Sequence, residues 1–201
     1  QKVNLEMPQL GQEIFEQLNA KQNVGNQKPV VYGKGGMSST EVAEIERQLG
    51  FPIPEDFKYL LQNMKDEGQV MFPWAKFDKS KYEETIGWVL GGIEFDIRNN
   101  AFWLESRWGC RPEQLDECLK IVRDDFPSWP ELLPLLGHRF LPAVPCIAGN
   151  PVFSIMQTDI IYYGDNLANY LKLEFIPGEK HAENTKNVHN RIEVWADIAD
   201  M

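Results

Sequence analysis

The sequence predicts a chain of mixed helices and strands, on three observations. Its 201 residues are 43% hydrophobic, 11% aromatic and 25% charged, the composition of a globular chain. Capped, helix-periodic segments dominate as far as residue 126. From Leu132 the texture becomes β-like, with short apolar runs separated by turn residues. Area scaling for 23.2 kDa gives burial of about 70% of the extended-chain surface, enough for one core without disulfide or metal staples.

Residues 8–22 predict a short helix carrying Leu10, Ile14, Phe15 and Leu18 at helical spacing. Residues 23–37 are polar and Gly-rich and read as a loop with a short extended segment at Pro29 to Tyr32. Ser38-Ser39-Thr40-Glu41 matches a capping box, and Val42, Ala43, Ile45 and Leu49 form the apolar face of the helix it opens. Gly50 suits a left-handed stop. Pro54 suits the first position of a second helix, with Glu55 and Asp56 in its first turn, Phe57, Leu60, Leu61 and Met64 facing inward, and Gly68 ending it.

Gln69 to Ala75 reads as a strand and Lys76 to Glu84 as a charged loop. Residues 86–97 fit a helix through Ile86, Val89, Leu90, Ile93 and Ile97, whereas Ile93 to Arg98 alternates as a strand does; the helix is preferred although Gly87, Gly91 and Gly92 weaken it. A clearer helix starts at Arg111-Pro112-Glu113 and runs to about Phe126, with Leu115, Cys118, Leu119, Val122 and Phe126 as its buried stripe. Leu132–Leu136, Arg139–Val144, Val152–Gln157 and Ile160–Tyr163 read as strands, with turns at Gly137-His138 and Thr158-Asp159. Gly164-Asp165 caps a helix aligning Leu167, Leu171 and Phe175. Residues 177–190 read as loose, and 192–195 as a last strand or a docked segment.

Thirty acidic against twenty basic residues give a net charge of −10. That balance argues against direct nucleic-acid binding and against docking on anionic lipid, and it leaves room for a basic protein partner. Cys110, Cys118 and Cys146 are too few for a disulfide framework and fit reduced thiols in a cytoplasmic protein. No apolar run approaches a membrane span, and Gln1 to Leu10 does not read as a signal peptide.

Motifs for chemistry are sparse. Gly33-Lys34-Gly35-Gly36 precedes a helix start, but the Gly-Lys-Ser/Thr of a phosphate-binding loop is missing, and the stretch reads as a linker. His138, His181 and His189 have no metal-ligand spacing around them, so neither a metal nor another cofactor is expected. No nucleophile elbow occurs, and a Cys146–His138 pair has no recognisable context, so no catalytic residue is assigned.

Two surfaces are candidates for a partner. On the 113–126 helix, Glu113, Asp116, Glu117, Asp124 and Asp125 oppose only Lys120 and Arg123. Nearby, Trp103 and Trp108 flank an Arg-containing segment, as interface anchors or as core pillars. Asp159 and Tyr162 form the other candidate, either lining a polar cleft with Asn150 or His138 or serving as a capped turn.

Leu49-Gly50-Phe51-Pro52-Ile53-Pro54-Glu55-Asp56-Phe57-Lys58-Tyr59-Leu60-Leu61 resembles the helix–Pro–helix opening of the SUKH superfamily, the Smi/Knr type. Phe95 to Trp103 followed by Trp108 to Pro112, Gly137 to Pro142, and above all Gly149 to Ala168 resemble one bacterial branch of it. The segment Asn63 to Gly68 departs from the Asn-Gly that many members carry there. The resemblance covers about residues 38–176. It implies a single α+β domain with a multistranded, mainly antiparallel sheet packed with several helices. It implies no catalytic residues and no cofactor. Its members are interaction modules, many bacterial ones being immunity proteins thought to neutralise toxin effectors, often nucleases, and eukaryotic ones acting in cell-wall regulation.

The expected organisation is therefore an N-terminal helix and linker at 1–37, the domain at 38–176, and a C-terminal tail at 177–201 that docks through 192–195. The expected function is a non-enzymatic cytoplasmic immunity protein. The alternatives are a small-molecule-binding protein or enzyme with a cleft near Asp159 and Tyr162, and a regulatory scaffold whose tails recruit partners.

Overall fold

The structure, a computed structural model, describes residues 10–22, 30–179, 188 and 190–201. Its centre is an antiparallel meander of β3 (Leu132–Pro134), β4 (Arg139–Pro142), β5 (Val152–Met156) and β6 (Asp159–Gly164). Leu133 pairs with Leu141, Phe140 with Phe153, and Ile155 with Ile160. Side chains alternate across a strand, so this register sends apolar groups to both faces of the sheet. Leu133, Leu141 and Val152 enter one core cluster. Leu132, Phe140, Phe153, Ile155 and Ile160 enter the other.

Helices cover both faces. On the first lie α1 (Gln12–Lys21), α2 (Ser39–Leu49), α3 (Glu55–Gln62) and α7 (Leu167–Phe175), whose Phe15, Ile45, Leu60 and Tyr170 are buried. On the second lie α4 (Lys79–Asn99), α6 (Leu115–Asp125) and α8 (Trp195–Ala199), contributing Ile93, Ile97, Val122 and Trp195. A two-stranded ribbon joins β1 (Val30–Tyr32) to β2 (Met64–Asp66), and a one-turn helix α5 (Glu105–Trp108) sits beside α6's end. An exposed edge strand invites unwanted pairing. Here the β3 side is closed: the Tyr82 hydroxyl donates to the Leu132 carbonyl (3.1 Å), Trp74 Nε1 to Pro134 (2.9 Å), and the Phe72 amide to Leu135 (2.6 Å).

Locally encoded features match the sequence reading. Ser38 and Glu41 form the reciprocal capping box, and Gly50 closes α2 at φ 84°. Residues 86–97 are helical within α4. The 192–195 segment docks, with Ile192, Val194 and Trp195 buried and Trp195 Nε1 donating to the Pro130 carbonyl at 2.8 Å. The leading helix and β1 pack into the first core cluster through Ile14, Phe15, Leu18 and Val30.

Other elements differ, each for a physical reason. Pro54 is the N-cap rather than the first residue of α3, and α3 ends at Gln62, so Met64 is buried from strand β2. Gln69 to Ala75 is not a strand: the Asp66 carboxylate takes the Val70 (2.9 Å) and Met71 (2.7 Å) amides, which removes them from any ladder. The expected loop at Lys76 to Glu84 is mostly the start of α4, because Asp78 accepts from the Ser80 amide (2.8 Å) and caps it. Helix α6 begins only at Leu115, leaving that side chain 41% exposed, and Ala43 turns outward on α2. The β5–β6 turn is Gln157-Thr158, so Asp159 starts β6, and Asn166 caps α7 through the Asn169 amide at 2.9 Å. Most of the 177–190 stretch, with His181 and His189, lies outside the described residues.

The Gly-rich stretch before α2 has a steric explanation. It crosses the C-terminal end of α3, with Gly33 N–H donating to Asn63 (2.6 Å) and Met37 N–H to Leu61 (2.9 Å). A Cβ on Gly36 would stand 2.2 Å from the Gln62 carbonyl carbon. Two of its backbone donors are thus spent on the protein itself. Gly36→Ala therefore lowers unfolding free energy by about 2–3 kcal/mol in urea titration, as overpacking does. Gly87→Ala, in open space within α4, raises it by about 0.5–1 kcal/mol by restoring helix propensity.

Candidate functional site

The acidic helix α6 ends on a carboxylate that the fold uses internally. Asp125 accepts two hydrogen bonds from the Arg107 guanidinium (2.5 and 2.8 Å), one from each indole of Trp108 (2.9 Å) and Trp129 (2.8 Å), and one from the Ser128 hydroxyl (3.1 Å). Burial alone pushes this carboxyl up, and these donors together outweigh it, holding its pKa well below the usual carboxylate range. Trp103 donates to the Gly109 carbonyl at 2.8 Å and leans on Trp108, with ring centroids 4.8 Å apart. The chain of rings continues from Trp108 to Trp129 to Trp195. Trp103 and Trp108 are half-buried members of a packed aromatic cluster, so the structure gives them the pillar role.

The rest of the acidic face divides. Asp124 pairs with Lys120 within α6, and Arg123 is bidentate to Glu94 on α4. Glu113, Asp116 and Glu117 are exposed and form no ion pair among the described residues. Other acids that add to the charge excess are structural. Asp56 accepts from the Gly149 amide (2.9 Å), Asp66 caps the turn described above, Glu55 pairs with Lys58, and Glu67 pairs with Lys65.

The second predicted cluster does not assemble. Asp159 is exposed on the sheet face opposite to Tyr162, whose ring packs on Phe153 at 4.9 Å. Asn150 is fully buried and donates to the Pro142 (2.9 Å) and Pro145 (2.8 Å) carbonyls. His138 sits half-buried in the β3–β4 turn, its pKa lowered by burial and then by Arg139. Cys110 and Cys146 are exposed and Cys118 is buried. No group of three His, Cys, Asp or Glu among the described residues can hold a metal ion. No helix among them is long and apolar enough to cross a membrane. A cleft of about 250 Å³ between Leu61, Met64 and Trp74 is lined at its polar side by Asp66 and Glu67, both already engaged.

The arginines are all engaged by the protein's own groups, whereas Lys21, Lys34, Lys76, Lys81 and Lys172 form no ion pair among the described residues. Arg47, Arg98, Arg107, Arg123, Arg139 and Arg191 each reach a carboxylate. Arg111 donates to the Phe102 (3.2 Å) and Ile97 (2.7 Å) carbonyls and lies over the Trp103 ring. Glu84, Glu113, Asp116, Glu117 and Asp159 stay exposed and form no ion pair among the described residues.

Sequence reasoning missed two contributors. Asp96, buried on α4, accepts from the Thr158 amide (2.9 Å) and hydroxyl (2.6 Å) and from Asn100 (2.5 Å), so it clamps the β5–β6 turn to the helix. Trp88 is 51% exposed on the outer side of α4. The glycines on either side of it, Gly87 and Gly91, were the available signal, since a helix of that length has no local use for them. No family model, curated protein or solved structure matches this chain.

Asp125→Asn costs about 2 kcal/mol in urea titration, because it removes the charge that Arg107 and two indoles address. A depressed folded pKa stabilises fully above the unfolded value, near 3.8, and is lost as pH falls toward the folded one. The wild type therefore loses this increment between about pH 5 and the acid limit, and the variant does not. Tryptophan fluorescence at graded pH reads the difference.

Proposed function

We propose that this protein is a non-enzymatic interaction module of the SUKH type, acting in the cytoplasm as an immunity protein that binds and neutralises a basic toxin domain such as a nuclease. The observation that carries the reading is the asymmetry of the free charge. The arginines are engaged by the protein's own groups, four exposed lysines (Lys21, Lys34, Lys76 and Lys81) carry no ion pair among the described residues, and against them stand the exposed carboxylates named above in a chain of net charge −10. Such a surface repels nucleic acid and competes for a cationic substrate cleft. Opposite fields accelerate encounter, and like-charge contacts penalise acidic bystanders, so charge supplies both speed and selectivity.

The sequence resemblance supports the same reading. Its opening motif supplies the α2–turn–α3 corner, where Glu46 accepts from the Ile53 amide (2.7 Å) and pairs with Lys58 (3.0 Å). Its most specific stretch, Gly149 to Ala168, supplies β5, β6 and the cap of α7. Tyr32 and Tyr170 are raised by burial in the core, and Tyr82, at the wall of a small cleft beside Trp129 and Trp195, is raised by burial with its hydroxyl donated to the Leu132 carbonyl, so each shift has a structural cause.

Co-expression with a toxin domain encoded beside it is expected to restore growth, and the two proteins to co-purify. Their association should weaken by on the order of tenfold or more between about 0.05 and about 0.5 M salt, as steered binding does. A toxin that stays fully lethal, with no complex at low salt, contradicts the proposal.

A further inference from the structure

We infer that the partner-docking surface is the outer strip of α4 together with the uncovered end of the sheet, and that it takes a cationic amphipathic polypeptide segment. This inference rests on the interaction-module reading and adds to it the face and the chemistry of the occupant.

Two turns, Gly137-His138 and Gln157-Thr158, lie at the same end of the meander, because β3–β4 and β5–β6 both reverse there. Helix α4 passes this end and is held to it by the Asp96–Thr158 clamp. A Cβ on Gly92 would meet the Gln157 Cα at 3.0 Å, so the helix touches the turn closely at that point. Toward its N-terminal half a groove of about 450 Å³ opens between α4 and the sheet, lined by Glu84, Thr85, Trp88, Gly137, His138 and Met156.

Exposed apolar side chains extend from two of the groove's lining residues, Trp88 and Met156. Trp88 and Phe95 are 51% and 48% exposed and lie two turns apart on one side of α4. Met156 and Ile161, 43% and 51% exposed, are diagonal neighbours on one face of the sheet. The helices of the first face leave both side chains uncovered. Gly87 and Gly91 flank Trp88, are exposed, and would meet nothing within 4 Å if given a Cβ. Neither has a positive φ or a packing neighbour to justify its cost to the helix. What they do provide is room for another backbone to come close to the Trp88 ring.

Charge complementarity identifies the occupant. Glu84 borders the groove, and Asp159 stands opposite Met156 in the register; both are exposed and form no ion pair among the described residues. Lys81 lies one turn before Glu84, and Arg98 lies one turn beyond Phe95 and shares Glu94 with Arg123, so the free carboxylates are confined to the groove end of the strip. Lysine or arginine stems can lie on Trp88, Met156 and Ile161 while their charged heads reach the two carboxylates, with cation–π attraction to the indole. The free carboxylates of α6 lack this apolar centre apart from Leu115, so they contribute field rather than a docking core.

The test uses the full chain and a fluorescein-labelled synthetic peptide of alternating arginine and leucine, followed by anisotropy at low salt. Trp88→Ala and Gly91→Gln are each expected to weaken binding about tenfold or more, as loss or obstruction of an anchor does. Gly91→Gln favours the helix, so its effect cannot be ascribed to unfolding, and circular dichroism checks both variants. The triple variant Glu113→Gln, Asp116→Asn, Glu117→Gln should change affinity less than about threefold, since none of the three lines the groove and the change reaches it only as a screened field. An equal loss in the triple variant, or unchanged affinity in Trp88→Ala and Gly91→Gln, overturns the assignment. Absence of wild-type binding also overturns it, and leaves the co-expression result to decide the interaction-module reading separately.

Discussion

The constraint on which the rest of this structure depends is a sheet that is apolar on both faces. Phe140, Phe153 and Ile155 demand a cover on one side, and Leu133, Leu141 and Val152 on the other. A chain of this length meets that demand by dividing its helices between the faces and bringing both ends of the described sequence back to the sheet. The leading helix reinforces the first cluster and the Trp195 segment seals the second. Uncovered apolar surface then survives only in patches, and one of them joins the outside of α4.

Polar groups fix how the layers are joined. Asp125 gathers Arg107, Ser128 and two indoles and thereby binds α5, α6 and the chain leading into β3. Asp96 fastens α4 to the β5–β6 turn, Asp66 replaces a strand ladder by a capped turn, and Asp56 holds the loop before β5. A carboxylate placed among fixed donors is strongly stabilised in its charged form, and losing one partner leaves the others unsatisfied. The acidic character of the chain thus has two parts. One is structural and saturated, and the other is the exposed remainder that gives the surface its field.

Locally determined features were legible in the sequence. The Ser38–Glu41 box, the Gly50 stop, the Gly137-His138 turn and the docking of 192–195 each depend on a few adjacent residues or on an apolar run. Features set by distant partners were not. Val70-Met71-Phe72 has the texture of a strand, yet its amides answer to Asp66 and to Leu135. Asp125 looks like any acid on a solvated helix until residues 107, 108, 128 and 129 are placed around it. Asp159 and Tyr162 are three apart, which in a strand puts them on opposite faces and ends the shared-cleft idea. Gly87 and Gly91 read as weak points of a helix, and only their open surroundings turn them into a feature of the surface.

The proposed docking face is the exposed end of this two-sided sheet with the outer strip of α4, covered by a basic partner. Hydrogen–deuterium exchange on the complex with a co-encoded toxin domain tests it most directly. Slowed exchange is expected in the amides of α4 from about Glu84 to Phe95 and in the β5–β6 hairpin around Met156 to Ile161, with α6 unchanged. Protection confined to α6 and the loop before it, with α4 and the hairpin exchanging as in the free protein, would contradict it.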